Sequence, residues 1–322
     1  QKEPEEAYKY ARKHIHRDLR TALWRWLPKT LSADQKEQRI RATLQEGAAR
    51  RDGEQRLLIE RFGDRIVAFL ESDTLHWAVL SSSDGDGFDV LQLVLHRFRR
   101  QLSTQKSLRV IWTRLLANVR LAATPLPRSG RPLVDHFDVA WTLDLPRRAP
   151  IRALSSRSIS IIDTPKGIEP KMANKRSIGP SRPWSVMLTA SPHILLFGHG
   201  ASDQDPFGSR LLIGPQPLTP ALLFKMPTIP RVTGLFACES GTRAGPGSKR
   251  TEFRHMSLAQ AFLLAGSDAV IASHGFVEES QARRWMKAWR TASAAAKSPS
   301  LAFMKAARTR GVAKEDFDLW TR

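Results

Sequence analysis

The chain has 322 residues, 41% of them hydrophobic, which is enough for one large or two ordinary folded domains. Its 51 Lys and Arg against 31 Asp and Glu leave a net charge of +20, which attracts nucleic acid, anionic lipid or acidic protein without specifying a fold. The single cysteine excludes an internal disulfide and fits a reducing, cytoplasmic setting. No apolar run approaches the roughly 18 residues of a membrane span. Metal-ligand, Walker A and dinucleotide spacings are all missing, so neither a metal nor another cofactor is expected.

The N-terminal 60 residues read as helical. Over 5–30, apolar side chains recur at helical intervals, and 35–60 is a charged segment with sparse apolar anchors. The chain starts at Gln1 rather than Met, which predicts a fragment or a processed product. We therefore predict that 1–60 is a helical linker, or the end of a regulatory region such as a helical repeat array.

The next region, 61–185, alternates strand-like and helix-like segments. A short turn separates two runs that predict a hairpin, and helices and two further strands follow. The predicted hairpin strands are 64–70 and 75–80, the helices 89–102 and 106–122, and the later strands 137–143 and 158–162. Residues 164–185 are rich in Pro, Gly, Lys and Arg, which favours an exposed loop or linker open to proteases.

From residue 186 the pattern indicates a covered parallel sheet. Apolar strands are predicted at 193–197, 232–237 and 268–273, and helices lie between and after them. The fold class predicted for the chain is α/β, with a mostly parallel sheet flanked by helices. In such sheets ligands bind beyond the carboxyl ends of the strands.

Two reactive side chains follow the predicted strand ends. His199 lies between two glycines after HILLF, and Cys238, the only cysteine, follows VTGLFA. A right-handed crossover places consecutive parallel strands near each other, so imidazole and thiol can share one cleft. The imidazole would take the thiol proton, and the amides of Gly200 and Cys238 would form an oxyanion hole. The alternative remains open that Cys238 is a small core residue and that His199, one of nine histidines, is unrelated to it.

Five ordered segments between 193 and 273 resemble the CHAT family of caspase-like cysteine peptidases, which is related to separase and gingipains. They are HILLFGHG, LTPALL, ACESG, SLAQAFLLAG and VIAS. The hairpin near residue 64 resembles, more weakly, the start of many CHAT regions. The resemblance implies a caspase-like fold with an N-terminal pseudo-caspase half, 61–185, packed on a catalytic half, 186–322.

The resemblance also implies roles for the two reactive residues. His199 would be the general base and Cys238 the nucleophile of an endopeptidase that forms a thioacyl enzyme on a protein substrate. No third residue is needed to orient the histidine. A regulatory protein or an attached helical repeat would control the activity.

The substrate pocket is less well defined by sequence. After VIAS many family members carry Trp, whereas this chain has Ser273-His274-Gly275, so the pocket wall is altered. Asp203, Ser273, His274 and Glu278 are the candidate pocket residues, and the acids among them would attract a basic substrate side chain.

Two other functions stay open at this stage. The altered pocket fits a catalytically silent CHAT-like scaffold, whose thiol would be buried and inert. The +20 charge fits a nucleic-acid-binding effector, for example in bacterial defence, although no nucleic-acid-binding motif is present.

Overall fold

The computed structural model describes residues 2–44, 52–81, 86–103, 107–117, 119–127, 129–146, 159–163, 183–189, 191–202, 209–213, 217–238, 240 and 257–322. Most of the predicted 164–185 linker and the whole of 241–254 lie outside these residues.

Helices and strands alternate along most of the described chain. The helices are α1 (Lys2–Trp26), α2 (Ala33–Thr43), α3 (Gly87–Arg97), α4 (Leu133–His136), α5 (Trp184–Thr189), α6 (Pro220–Leu223), α7 (Leu258–Ala265), α8 (Glu279–Ala295) and α9 (Pro299–Ala307). The strands are β1 (Glu54–Phe62), β2 (Arg65–Glu71), β3 (Leu75–Ser81), β4 (Ser107–Ile111), β5 (Val139–Thr142), β6 (Ile159–Asp163), β7 (His193–Phe197), β8 (His199–Ser202), β9 (Ser209–Leu212), β10 (Val232–Phe236), β11 (Ala269–Ser273) and β12 (Phe317–Thr321).

Ten of these strands form one continuous sheet in the order β3-β2-β1-β4-β5-β12-β11-β10-β7-β6. β1, β4, β5 and β12 run parallel, and β11, β10, β7 and β6 form a second parallel block. The two blocks meet at the antiparallel pair of β11 and β12. The predicted fold class, α/β with a mostly parallel sheet flanked by helices, is confirmed.

The N-terminal segment contributes directly to the main core. The apolar face of α1, from Tyr8 to Trp26, is buried in the same hydrophobic cluster as the sheet strands. Arg12 donates from Nε to Asp144 Oδ2 at 2.6 Å, which joins α1 to the segment after β5. Because β1 crosses residue 60 and α5 crosses residue 185, the domain limits proposed from sequence divide elements of the structure. That division remains a prediction.

Two predicted helices differ from the structure. The segment 106–122 contains strand β4 and only a short 3₁₀ helix, Arg114–Leu116, and 35–60 ends in strand β1. β4 is buried on both faces between β1 and β5, with Arg109 buried among apolar side chains, so its burial does not follow a period of two. In the sequence, Leu108, Ile111 and Leu115 recur at i, i+3 and i+7, a spacing that favours a helix.

Helix α7 is buried on nearly all its faces beneath the sheet. Ser257 caps its first turn in a capping box with Gln260, and Gly266, at φ 129°, ends it. Among the described residues, no helix combines the length and the apolar composition needed to cross a bilayer.

Candidate active site

The two reactive residues lie at the same edge of the sheet and at the same height. β7 and β10 are parallel neighbours whose register pairs Phe197 with Phe236. His199 and Cys238 each follow two residues after these paired positions. The carboxyl ends of parallel strands form the edge at which α/β proteins bind ligands. The register therefore brings the His199 and Cys238 segments side by side.

The backbone at Gly200 lies directly against the backbone of Cys238. A Cβ added to Gly200 would overlap the carbonyl oxygen of Cys238 and come within 3.2 Å of its amide nitrogen. Only glycine fits there without displacing one of the two segments. This close approach places the peptides of the predicted oxyanion hole in contact.

His199 begins a short hairpin that extends from the main sheet. β8 pairs antiparallel with β9, with His199 opposite Leu212. The hairpin is joined to the body of the protein by Leu211, whose N–H donates to the Leu218 carbonyl at 2.9 Å. The His199 side chain itself is exposed, which leaves it accessible to a substrate.

The Cys238 thiol is half-buried and faces the loop between β11 and α8. The Val277 N–H donates to Sγ at 3.5 Å, and the thiol donates to the Val277 carbonyl at 3.5 Å. The loop backbone therefore offers one donor and one acceptor to the sulfur. A thiolate at this position would still accept the Val277 N–H, but it could no longer donate to the Val277 carbonyl.

Two serines tie the ends of β10 and β11 together. The Ser273 N–H donates to Ser240 Oγ at 3.0 Å, and the Ser273 hydroxyl donates to the Ala237 carbonyl at 2.5 Å. Ser273 is fully buried, so it holds the strand ends in place and offers no exposed surface to a substrate. Its hydroxyl is used inside the protein, and the assignment of Ser273 to the substrate pocket remains a prediction.

The remaining pocket candidates occupy different environments. His274 is nearly buried, with Nδ1 3.7 Å from Oδ2 of Asp318. Glu278 is exposed and precedes the first turn of α8. Burial raises the pKa of Asp316, and the negative charges of Glu315 and Glu278 raise it further. Glu278 therefore lies close enough to Asp316 for their charges to interact. Asp203 lies outside the described residues.

Asp318, whose carboxylate lies next to His274, is held by three hydrogen bonds. Its carboxylate accepts the backbone N–H groups of Leu121 and Ala122 and the indole N–H of Trp141, at distances from 2.8 to 3.2 Å. Three donors compensate the burial of this charge. The interaction joins the last strand to the N-terminal half of the sheet.

Three residues at this edge were not predicted from sequence. Val277 contacts the thiol, Phe276 beside it is 88% exposed, and Arg283 lies over the ring of Phe197 with Cζ 4.1 Å from the ring centre. The sequence offered one signal for this turn, Gly275, because glycine readily adopts a positive φ. In the structure its φ is 147°, and the chain changes direction there after β11. The contact with the thiol itself needs the tertiary structure.

No group of three or more His, Cys, Asp or Glu within the described part of the chain is arranged to hold a metal ion. The chemistry available at this edge is that of a thiol, an imidazole and backbone amides.

Comparison with protein families matches residues 179–318 to the family described as CHAT domain. Residues 179–318 form a CHAT domain. The match covers β7, β10 and β11 of the second block and the first two residues of β12. It includes both His199 and Cys238. The recognition made from the five sequence segments is confirmed.

Two solved structures similar to this chain are crystal structures of the Saccharomyces cerevisiae separase–securin complex, at 2.6 and 3.0 Å resolution. They are 13% and 12% identical to it, with TM-scores of 0.43 and 0.45. Each likeness covers 70% of this chain and 16% of the matched chain, so this chain spans a small part of their length. A search of curated proteins found no match.

Proposed function

We propose that this CHAT protein is a cysteine endopeptidase that cleaves a protein partner, with Cys238 as nucleophile and His199 as general base, under the control of an attached or partner module. The observation that carries the proposal is the packing of Gly200 against Cys238 at the ends of β7 and β10. It holds a histidine segment and the only thiol at one accessible sheet edge.

The reaction would proceed in two steps. The His199 imidazole removes the thiol proton, and the sulfur attacks the carbonyl carbon of the scissile peptide bond. The amides of Gly200 and Cys238 donate to the oxyanion, and the imidazolium returns its proton to the leaving amine, which departs. Water, deprotonated by His199, then attacks the thioester, and the new carboxyl product leaves as the thiol is restored.

The Val277 peptide has a place in this scheme. Its N–H remains a donor to the sulfur after the proton is removed, whereas its carbonyl loses a donor. A backbone N–H of a substrate that binds next to the loop can then donate to the Val277 carbonyl in place of the thiol. Glu278 and His274 are proposed to border the pocket for the side chain before the cleaved bond.

The test compares new protein N-termini produced in cells by the wild type and by Cys238→Ala. We expect the wild type to generate a defined set of N-termini that the variant lacks, while both give the same far-UV circular dichroism. Because Cys238 is the only cysteine, alkylation by a thiol-directed peptide probe reports on this residue alone.

The matched control concerns the histidine. His199→Ala should abolish cleavage, whereas His96→Ala, at an exposed position near the end of α3, should leave it unchanged. Cleavage that persists in Cys238→Ala would remove this residue from the mechanism.

A silent scaffold is the second candidate, and the environment of the thiol favours it. Sγ is half-buried, and within the part of the chain that the structure describes its two hydrogen bonds are made to Val277. A scaffold would show no new N-termini and slow alkylation of Cys238 in the folded protein. Rapid alkylation of Cys238 by the thiol-directed probe, together with loss of cleavage in the alkylated protein, would exclude the silent scaffold.

A further inference from the structure

A groove with a basic rim lies between α8 and α9, away from the thiol. It encloses about 550 Å³, and its ten lining residues are Arg284, Lys287, Ala288, Thr291, Ala292, Ala295, Lys305, Thr309, Arg310 and Val312. Four of the ten are cations and none is an acid. The groove therefore combines concentrated positive charge with a neutral interior.

The four cations are available to a partner. Arg284, Lys287, Lys305 and Arg310 are exposed, and none of them has an ion pair or a side-chain hydrogen bond within the part of the chain that the structure describes. Two acids on adjoining segments, Glu279 and Asp135, are paired with cations outside the groove.

Glu279 pairs with Arg283 on the first turns of α8, and Asp135 pairs with Lys314 beyond α9. None of the residues that line the groove is an acid, so its positive charge is not neutralised from within the groove. Unpaired cations on both sides of one depression attract an acidic ligand and set its orientation.

The floor of the groove is apolar and shallow. Ala288, Ala292 and Ala295 follow one another at helical spacing on α8, and Val312 closes the other side. Small side chains in such a row allow another backbone to approach the helix closely, as in helix-in-groove recognition. A polyphosphate gains nothing from an alanine floor, because its surface is charged throughout.

The lining contains no aromatic side chain, so it lacks the stacking platform on which single-stranded nucleic acids lie. A second copy of the chain is also disfavoured, since it would bring the same net charge of +20. The remaining class is a protein segment that is acidic on one face and apolar on the other.

We propose that the α8–α9 groove docks an acidic amphipathic helix of a partner protein, with small apolar side chains on the alanine floor and carboxylates on the four cations. This surface is separate from the chemistry of Cys238, and its occupancy is measured by binding alone. The outcome at the thiol therefore neither supports nor removes it.

The experiment measures fluorescence anisotropy with three probes at physiological salt. They are a labelled synthetic amphipathic peptide with Ala and Leu on one face and Glu on the other, a scrambled peptide of the same composition, and a mixed-sequence single-stranded RNA. We expect the amphipathic peptide to bind and the scrambled peptide to bind at least about tenfold more weakly, because it cannot present both faces.

Two variants and one control locate the binding. Lys287→Glu with Lys305→Glu should weaken peptide binding by at least about tenfold, and Ala292→Leu should do the same by filling the floor. Lys29→Glu with Lys225→Glu changes the net charge equally at exposed positions outside the groove and should have no effect. Thermal unfolding of all variants checks that the fold is kept.

Other outcomes overturn the proposal. They are equal binding of the scrambled peptide, an equal loss in the control variant, or no binding of the amphipathic peptide to the wild type. RNA that binds tightly, competes with the peptide and is unaffected by Ala292→Leu would instead assign the groove to nucleic acid.

Discussion

Gly200 shows how a single side chain can control the distance between two segments of the candidate site. Its Cα lies where any Cβ would overlap the Cys238 carbonyl. The His199 and Cys238 segments can therefore remain in contact only while residue 200 is glycine. The requirement is steric, and it does not depend on what reaction the site performs.

We expect Gly200→Ala to separate the two segments and to reduce cleavage by about 100-fold or more, because a displacement near 1 Å of reacting groups has effects of that size. The measurement is the rate of cleavage of a substrate found from the N-terminal comparison. Gly63→Ala is the matched control, since its added methyl group meets nothing within 4 Å, although its φ of +60° adds a modest strain. Equal losses in both variants would show a general effect on stability.

At the scale of elements, α1 illustrates how an amphipathic helix becomes part of a core. Its apolar side chains lie on one face, and Trp26 stacks on Phe224 with ring centres 6.3 Å apart. The same face also bonds to the sheet, since the Tyr8 hydroxyl donates to Glu71 Oε2 at 3.0 Å. A linker helix would leave most of this face in water, so α1 is expected to unfold together with the sheet.

Leu19→Ala tests this expectation. Leu19 is 1% exposed, so the substitution should create a cavity and lower the free energy of unfolding by about 2–5 kcal/mol. Thr21→Ala, on the exposed face of the same helix, should change it by less than about 0.5 kcal/mol. Urea denaturation followed by tryptophan fluorescence measures both. A small effect of Leu19→Ala would mean that α1 is a peripheral attachment.

Across the whole molecule, one buried histidine connects the sheet to the helical layer. His193, at the start of β7, accepts the indole N–H of Trp289 at 3.0 Å, and Trp289 lies on α8. Burial lowers the pKa of His193 to about 4. The imidazole is therefore neutral in the folded protein at any pH near neutrality.

This lowered pKa predicts acid sensitivity. Below pH 6.5 the unfolded chain binds a proton at His193 that the folded protein does not bind until pH falls near 4. Stability should thus decrease as pH falls from 6.5 to 4, with a contribution from this residue of at most about 3 kcal/mol. Urea denaturation across this range should show the decrease, and His193→Gln should flatten it relative to His96→Gln, an exposed control. Identical pH profiles for the two variants would contradict the prediction.

Local patterns in the sequence were sufficient for much of the architecture. The hairpin β2–β3, the buried strands β7, β10 and β11, and the nearly all-apolar helix α7 follow from hydrophobic runs and capping residues. Strand β4 was missed because it has only five residues and because Leu108, Ile111 and Leu115 recur at helical spacing. The CHAT recognition came from five segments whose order, rather than overall composition, carries the information.

The sequence by itself determined which strands carry His199 and Cys238 at their ends, because apolar runs and the residues that follow them are local features. Only the tertiary structure decided that Gly200 lies against Cys238, that the thiol faces Val277, and that Ser273 is buried. These contacts depend on strand register and on the path of the loop after β11, which arise from packing between residues far apart in the chain.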